Sequence, residues 1–186
     1  MMIRNLIAAA LVAVSCLSVA RAEEKVLDPS HNYLLLATAK TSTMQKELDD
    51  AAANGFRLAM GSGLESTEVA MMMERIPEGS EKYAYRLIAT TRTGSMDKEI
   101  NALAKEGFRV HSRTLCSKTG MLSREIVVIM ERNPNEKGKQ YEYKLLATTL
   151  TGTLQKEMTQ ATKEGYTLVA FGTRGEHLVI MEREKK

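Results

Sequence analysis

Between Tyr143 and Thr148 the chain reads Tyr-Lys-Leu-Leu-Ala-Thr, a short, mainly apolar run that predicts a strand. The period then changes. From Thr153 onward Leu154, Met158 and Ala161 recur at i, i+4 and i+7, which places them on one face of a helix. Gly165 follows, at the point where a helix commonly ends in the left-handed conformation that only glycine enters without a Cβ penalty. Tyr166, Leu168 and Ala170 are spaced by two and predict one face of a second strand. The uninterrupted run Leu178-Val179-Ile180-Met181 suits a strand covered on both faces. The pattern is β-α-β-β, with its last two strands expected to form a hairpin.

The same order is written three times. The phrase LLATTLTGTLQKE (145–157) has near copies at 35–47 and 87–99, and the units extend over 33–75, 83–132 and 141–183. Helical stripes recur as Met44, Leu48, Ala51, Ala52 and as Met96, Ile100, Leu103, Ala104. Thr43, Ser95 and Thr153 are the expected N-caps, and Gly55 and Gly107 match Gly165. Phe56, Leu58 and Met60, like Phe108 and Val110, are expected to share one strand face. Ile126 to Met130 is the second continuous apolar run, and every unit closes on Met-Glu-Arg. The three prolines, Pro29, Pro77 and Pro134, all fall outside the units. The expected organisation is a signal segment (1–22), a leader (23–32), three repeats with linkers at 76–82 and 133–140, and a tail (184–186). A unit of this size buries too little surface to stand alone. The expected fold is α+β: three tandem β-α-β-β repeats in one compact body, with small, mainly antiparallel sheets each covered by one helix.

Tyr83-x-Tyr85, Tyr141-x-Tyr143, Gly107-Phe108-Arg109-Val110 and Gly165-Tyr166-Thr167-Leu168-Val169 give the unit a resemblance to a small bacterial domain family of unknown function. Its members read Tyr-x-Tyr-x-Val, then a helix, then Gly-Trp-Glu-Leu-Val and a closing strand. This chain departs from it in having no tryptophan and in beginning its first unit His31-x-Tyr33. The resemblance implies the β-α-β-β fold and no activity.

The ends and the charge narrow the setting. Arg4, the apolar stretch from Leu6 to Ala20 and the small residues of Ala20-Arg21-Ala22 have the layout of a cleaved bacterial secretory signal. A lipoprotein anchored through Cys16 is the alternative, although its box lacks the usual leucine. Cleavage removes Arg4 and Arg21 and lowers the formal charge from +3 to +1. So balanced a chain has no electrostatic footprint for nucleic acid, and no transmembrane anchor is expected after signal removal. Cys116 then stands alone, so packing and not a disulfide must hold the fold.

Candidate chemistry is sparse. The thrice-repeated Lys-Glu (Lys46, Glu47, Lys98, Glu99, Lys156, Glu157) is either part of a polar pocket at the strand-to-helix turn or helix architecture pairing with the closing Glu-Arg. The methionines raise copper binding, yet Met44 and Met96 match Leu154, and Met72 matches Ile129 and Ile180, so they read as packing. The Met71-Met72-Met73 run is the one cluster kept in view. His31, His111 and His177 are not equivalent and lack metal-ligand spacing. One loop breaks the repeat: Gly107 to Met130 spans 23 positions, against 18 for Gly55 to Met73 and 16 for Gly165 to Met181. It carries His111, Arg113, Cys116 and Lys118, the expected partner contacts. These features predict a secreted or periplasmic, non-catalytic binding or assembly protein without cofactor. Its expected partner is another envelope or secreted protein, or the chain itself. A thiol enzyme or redox sensor using Cys116 and a copper-handling protein stay open as alternatives.

Overall fold

The computed structural model describes residues 30–63, 67–120, 123–136 and 138–185. The expected signal segment, Cys16 and most of the leader lie outside them. Repeat 1 contains β1 (Tyr33–Thr38), α1 (Thr41–Ala53), β2 (Phe56–Gly63) and β3 (Val69–Arg75). Repeat 2 contains β4 (Ala84–Thr90), α2 (Thr93–Lys105), β5 (Arg109–Val110), β6 (Cys116–Thr119) and β7 (Arg124–Arg132). Repeat 3 contains β8 (Tyr141–Thr148), α3 (Thr151–Lys163), β9 (Thr167–Thr173) and β10 (His177–Glu184). The fold is α+β, with the expected β-α-β-β order in repeats 1 and 3, while the long loop of repeat 2 adds one short strand, β6, to that order. Among the described residues no helix is long and apolar enough to cross a membrane.

In every repeat the closing strand is central. The sheets run β1-β3-β2, β4-β7-β5 and β8-β10-β9, with β6 also on β7, and all of these pairings are antiparallel. The most apolar run takes the place with two neighbours and two covered faces, and Ile126 to Met130 are fully buried. The helical stripes face inward: Met44, Leu48, Met96 and Ile100 are inaccessible. Truncating one of them to alanine costs about 2–5 kcal/mol.

Two expectations need correction. Thr43, Ser95 and Thr153 do not cap the helices, whose N-cap positions lie three residues earlier, at Lys40, Arg92 and Leu150. The hydroxyls used belong to Thr38, Thr90 and Thr148, which accept from the N–H of Lys40, Arg92 and Leu150 at 3.3, 3.2 and 3.1 Å. Closing the turn with the preceding threonine brings the helix start forward. Met60 also does not share a face with Phe56 and Leu58. Leu58 pairs with Met73 but Met60 pairs with Met72, so a bulge at Ala59 turns Met60 to the opposite face. A bulge at Val169 does the same to Ala170 in repeat 3.

The aromatic after each helix and the closing arginine prove to be halves of one contact. Arg75 lies 4.2 Å from the ring centroid of Phe56, Arg132 4.9 Å from Phe108 and Arg183 4.6 Å from Tyr166. Gly55, Gly107 and Gly165 have φ of +80°, +86° and +88°, the turn that swings each aromatic under its arginine.

Consecutive repeats share cores. One face of β7, with Val127 and Ile129, joins Tyr85 and the core of repeat 1 around Met44, Leu48 and Leu58. Its other face, with Ile126, Val128 and Met130, packs with α2 and takes in Tyr143, Leu178 and Ile180 from repeat 3. Each repeat therefore closes the core of the one before it.

Candidate functional site

The polar groups of the fold gather where repeats meet. Tyr85 is fully buried, and its hydroxyl accepts from the backbone N–H of Leu58 at 2.8 Å and donates to Glu131 at 3.1 Å. Arg57 of repeat 1 reaches across to Glu131 with two N–H groups, at 3.3 and 3.1 Å, while lying 4.5 Å from the ring centroid of Tyr83. Both tyrosines of the Tyr-x-Tyr motif thus engage the preceding repeat. The edge strand β4 meets α1, where the Gln45 side chain donates to the carbonyl of Tyr85 at 3.1 Å and accepts from the N–H of Leu87 at 2.8 Å. A side-chain amide here takes the place of a missing strand neighbour and covers the edge.

The next seam repeats the arrangement. The Tyr143 hydroxyl accepts from Val110 N–H at 3.1 Å and donates to Glu182 at 3.1 Å. Arg109 binds Glu182 and lies 4.4 Å from the ring centroid of Tyr141. Asp97 accepts from Leu145 N–H at 3.0 Å, and Asn101 brackets Tyr143 by donating to its carbonyl and accepting from its N–H. Burial pushes both phenols far above their ordinary pKa, so they stay protonated donors. The hydrogen bond to Glu182 raises the pKa of Arg109 further and fixes its charge.

A cleft of about 350 Å³ opens between the two seams, lined among others by Arg57, Arg109, His111, Glu131, Leu168 and Glu182. Its guanidinium and carboxylate groups face one another in pairs. His111 Nε2 lies 3.1 Å from the carbonyl of Leu58, while its Nδ1 is buried without a hydrogen-bond partner. Burial lowers the His111 pKa, with Glu131 opposing and Arg57 and Arg113 assisting. The imidazole is accordingly neutral at pH 7.

The long loop of repeat 2 lies against both neighbours. The Arg113 carbonyl accepts from Gly61 N–H at 2.8 Å, while the Arg113 side chain is exposed. Thr114 is buried and bonded to the backbone of His111 and Ile129. Leu115 packs on Gly172, where an added Cβ would come within 3.0 Å of its Cγ. Lys118, nearly buried, donates to the carbonyl of Ala39 at 2.9 Å and pairs with Glu125 at 3.0 Å. Cys116 sits beside the core shared by repeats 1 and 2, and burial pushes its thiol up to about 11. The ammonium of Lys118 is spent elsewhere and gives that thiol no help. Of the four expected contact residues, only His111 lines the cleft; Arg113, Cys116 and Lys118 are spread along the loop.

The repeated Lys-Glu lies one turn into each helix. Lys46, Lys98, Glu99, Lys156 and Glu157 are exposed, whereas Glu47 is partly buried. The closing Glu-Arg has other partners: Glu131 and Glu182 take the arginine of the preceding repeat, and the closing arginines cover their aromatics. Met71 and Met73 are buried toward α1, and Met72 points to the other face, so the triplet is divided by strand alternation. Among the described residues no group of three or more His, Cys, Asp or Glu is placed to hold a metal ion.

Sequence reasoning missed Arg57, Arg109 and Gln45 as seam residues. A signal was present: the position two after the helix-ending glycine is Arg57 and Arg109 in the first two repeats and Thr167 in the last, which has no described repeat after it. Comparison of the chain with known protein families, curated proteins and solved structures found no match.

Proposed function

We propose that the chain is a non-catalytic binding or assembly protein of the bacterial periplasm or secreted fraction, which works through contacts with another envelope or secreted protein or with itself. One observation carries the reading: among the described residues the most exposed large apolar side chains stand at the two ends of the row of repeats, while the charged groups of the cleft are paired with one another in the seams. Exposed apolar clusters mark contact surfaces, whereas catalysis needs polar groups aimed at an open reaction space. The thiol, held protonated by burial, fits packing better than nucleophilic chemistry. The near-zero charge of the mature chain and its signal-like start fit the proposed location, and the family resemblance, itself a proposal, fits a scaffold.

Site-specific photo-crosslinking in the native envelope fraction tests the reading. A probe at Met60 or Phe171 is expected to give protein adducts, and one at the helix position Lys98 is expected to give none. Absence of adducts at both end positions would contradict it.

A further inference from the structure

Among the described residues, Tyr33, Leu35 and Met60 are the exposed large apolar side chains of repeat 1, and Leu150, Leu168 and Phe171 are those of repeat 3. Repeat equivalence explains what these positions do elsewhere. Tyr33 corresponds to Tyr85 and Tyr143, which are 0% and 4% exposed because each enters the preceding repeat; Tyr33 is 66% exposed. Leu168 corresponds to Leu58 and Val110, which are 1% and 5% exposed because each receives the tyrosine of the following repeat; Leu168 is 56% exposed. Met60 corresponds to Ala170, buried in the core shared with repeat 2. Met72 corresponds to Ile129 and Ile180, both inaccessible. On α3 the place of Gln45 is held by Gln155, which is exposed. The two ends are thus the two halves of a seam that the chain has already built twice.

We propose that a second copy of this chain docks head to tail, the β1 face of one copy seating on the α3–β9 end of the next. This names the partner for the assembly reading above and rests on it. In the docked pair Tyr33 enters beside Leu168 as Tyr85 does beside Leu58, and Gln155 meets the β1 edge at Tyr33. The seam is not copied in full: His31 stands where Tyr83 and Tyr141 pack against the seam arginine. Thr167 replaces the arginine that forks the glutamate of the following repeat, and Thr162 stands on α3 where α1 and α2 have Ala52 and Ala104. The seam between copies therefore lacks a charged clamp and is weaker than those inside the chain. Because its halves differ, the contact is heterologous, and it closes into a ring or continues as a row.

Sedimentation velocity of the purified exported protein, from low micromolar to near-millimolar concentration, tests the docking. The expected result is a sedimentation coefficient that rises with concentration. Tyr33→Asp and Leu168→Asp are each expected to weaken association roughly tenfold or more and, being exposed substitutions, to leave the thermal midpoint unchanged. Met60→Asp serves as a second head-side variant should Tyr33→Asp fail to fold. The deciding step mixes the two blocked variants. Each retains one intact end, so the mixture is expected to form a one-to-one dimer and stop there. A monomer at every concentration, association indifferent to both substitutions, or no rescue on mixing would overturn the proposal. If the protein stays monomeric yet the end-position crosslinks still capture a different protein, self-docking fails while the assembly reading stands.

Discussion

The phenol of Tyr85 accepts a hydrogen bond from the backbone N–H of Leu58 in the preceding repeat, at 2.8 Å, and both groups are buried. An amide left unpaired there would carry its full desolvation cost, about 1–3 kcal/mol. Tyr85→Phe is therefore expected to lower unfolding stability by that amount, and Tyr143→Phe likewise through Val110. Tyr33→Phe, at an exposed position, is expected to change it by less than about 0.5 kcal/mol. Urea titration of the three variants checks the contrast.

Arg57 and Glu131 form the charged part of the same seam. The carboxylate is the more buried partner, with 10% side-chain exposure against 36% for the guanidinium. Arg57→Met leaves a mostly buried acid with Tyr85 as its remaining partner and is expected to cost about 1–3 kcal/mol, less than a fully buried pair because the arginine is partly solvated. The Arg57→Met/Glu131→Gln double variant is expected to lose less than the sum of the singles, with a coupling energy of about 0.5–3 kcal/mol. Additive losses from a double-mutant cycle would mean that the pair contributes nothing of its own.

Gln45 and Gln155 hold equivalent places and face different surroundings. Gln45→Ala removes both hydrogen bonds to the β4 edge and is expected to cost about 1–2 kcal/mol. Gln155→Ala is expected to leave the stability of the dilute, unassociated protein within about 0.5 kcal/mol of the original. The denaturation midpoints of the two variants measure this difference.

Burial lowers the pKa of His111, so the folded state prefers the neutral imidazole and the unfolded chain binds its proton more readily. The stability linked to this group is fully present above the unfolded value of about 6.5 and is lost as pH falls through that value toward the depressed folded one. Thermal midpoints measured between neutral and mildly acidic pH are expected to fall less steeply in His111→Gln than in the unaltered protein.

Cys116 is expected to be a slow thiol. Its pKa, raised to about 11 by burial, leaves little thiolate at neutral pH. Alkylation of the folded protein should accelerate with pH beyond the range in which an exposed cysteine levels off, near its ordinary pKa of about 8.5. A rate that levels off below that value would contradict the assignment.

Within a repeat the architecture was legible because the hydrophobic period changes from helix to strand at glycine, and the same changes recur in all three copies. The bulges at Ala59 and Val169 were not. A single extra residue reverses which face a side chain takes, and composition carries no trace of it. The helix caps lie three residues before the expected ones because a threonine or serine precedes, begins and follows each turn, and its hydroxyl serves a strand-to-helix turn as readily as a cap. The site was less legible than the fold. Tyr-x-Tyr, Gly-aromatic and Met-Glu-Arg are all visible as repeated phrases, but they act between repeats, and their pairing depends on which neighbour each one faces. The loop around Cys116 drew attention by its length; much of it lies between repeats 1 and 3, a role that length alone does not distinguish from partner binding.

Residue-resolved amide hydrogen exchange at Leu58, Val110 and Leu168, followed over protein concentration, tests most directly whether one seam design serves inside the chain and between copies. Leu58 and Val110 should be strongly protected at every concentration, because Tyr85 and Tyr143 occupy their seams. Protection at Leu168 should rise with concentration as Tyr33 of a second copy arrives. Fast exchange at Leu58 and Val110, or protection at Leu168 that does not respond to concentration, would contradict the account.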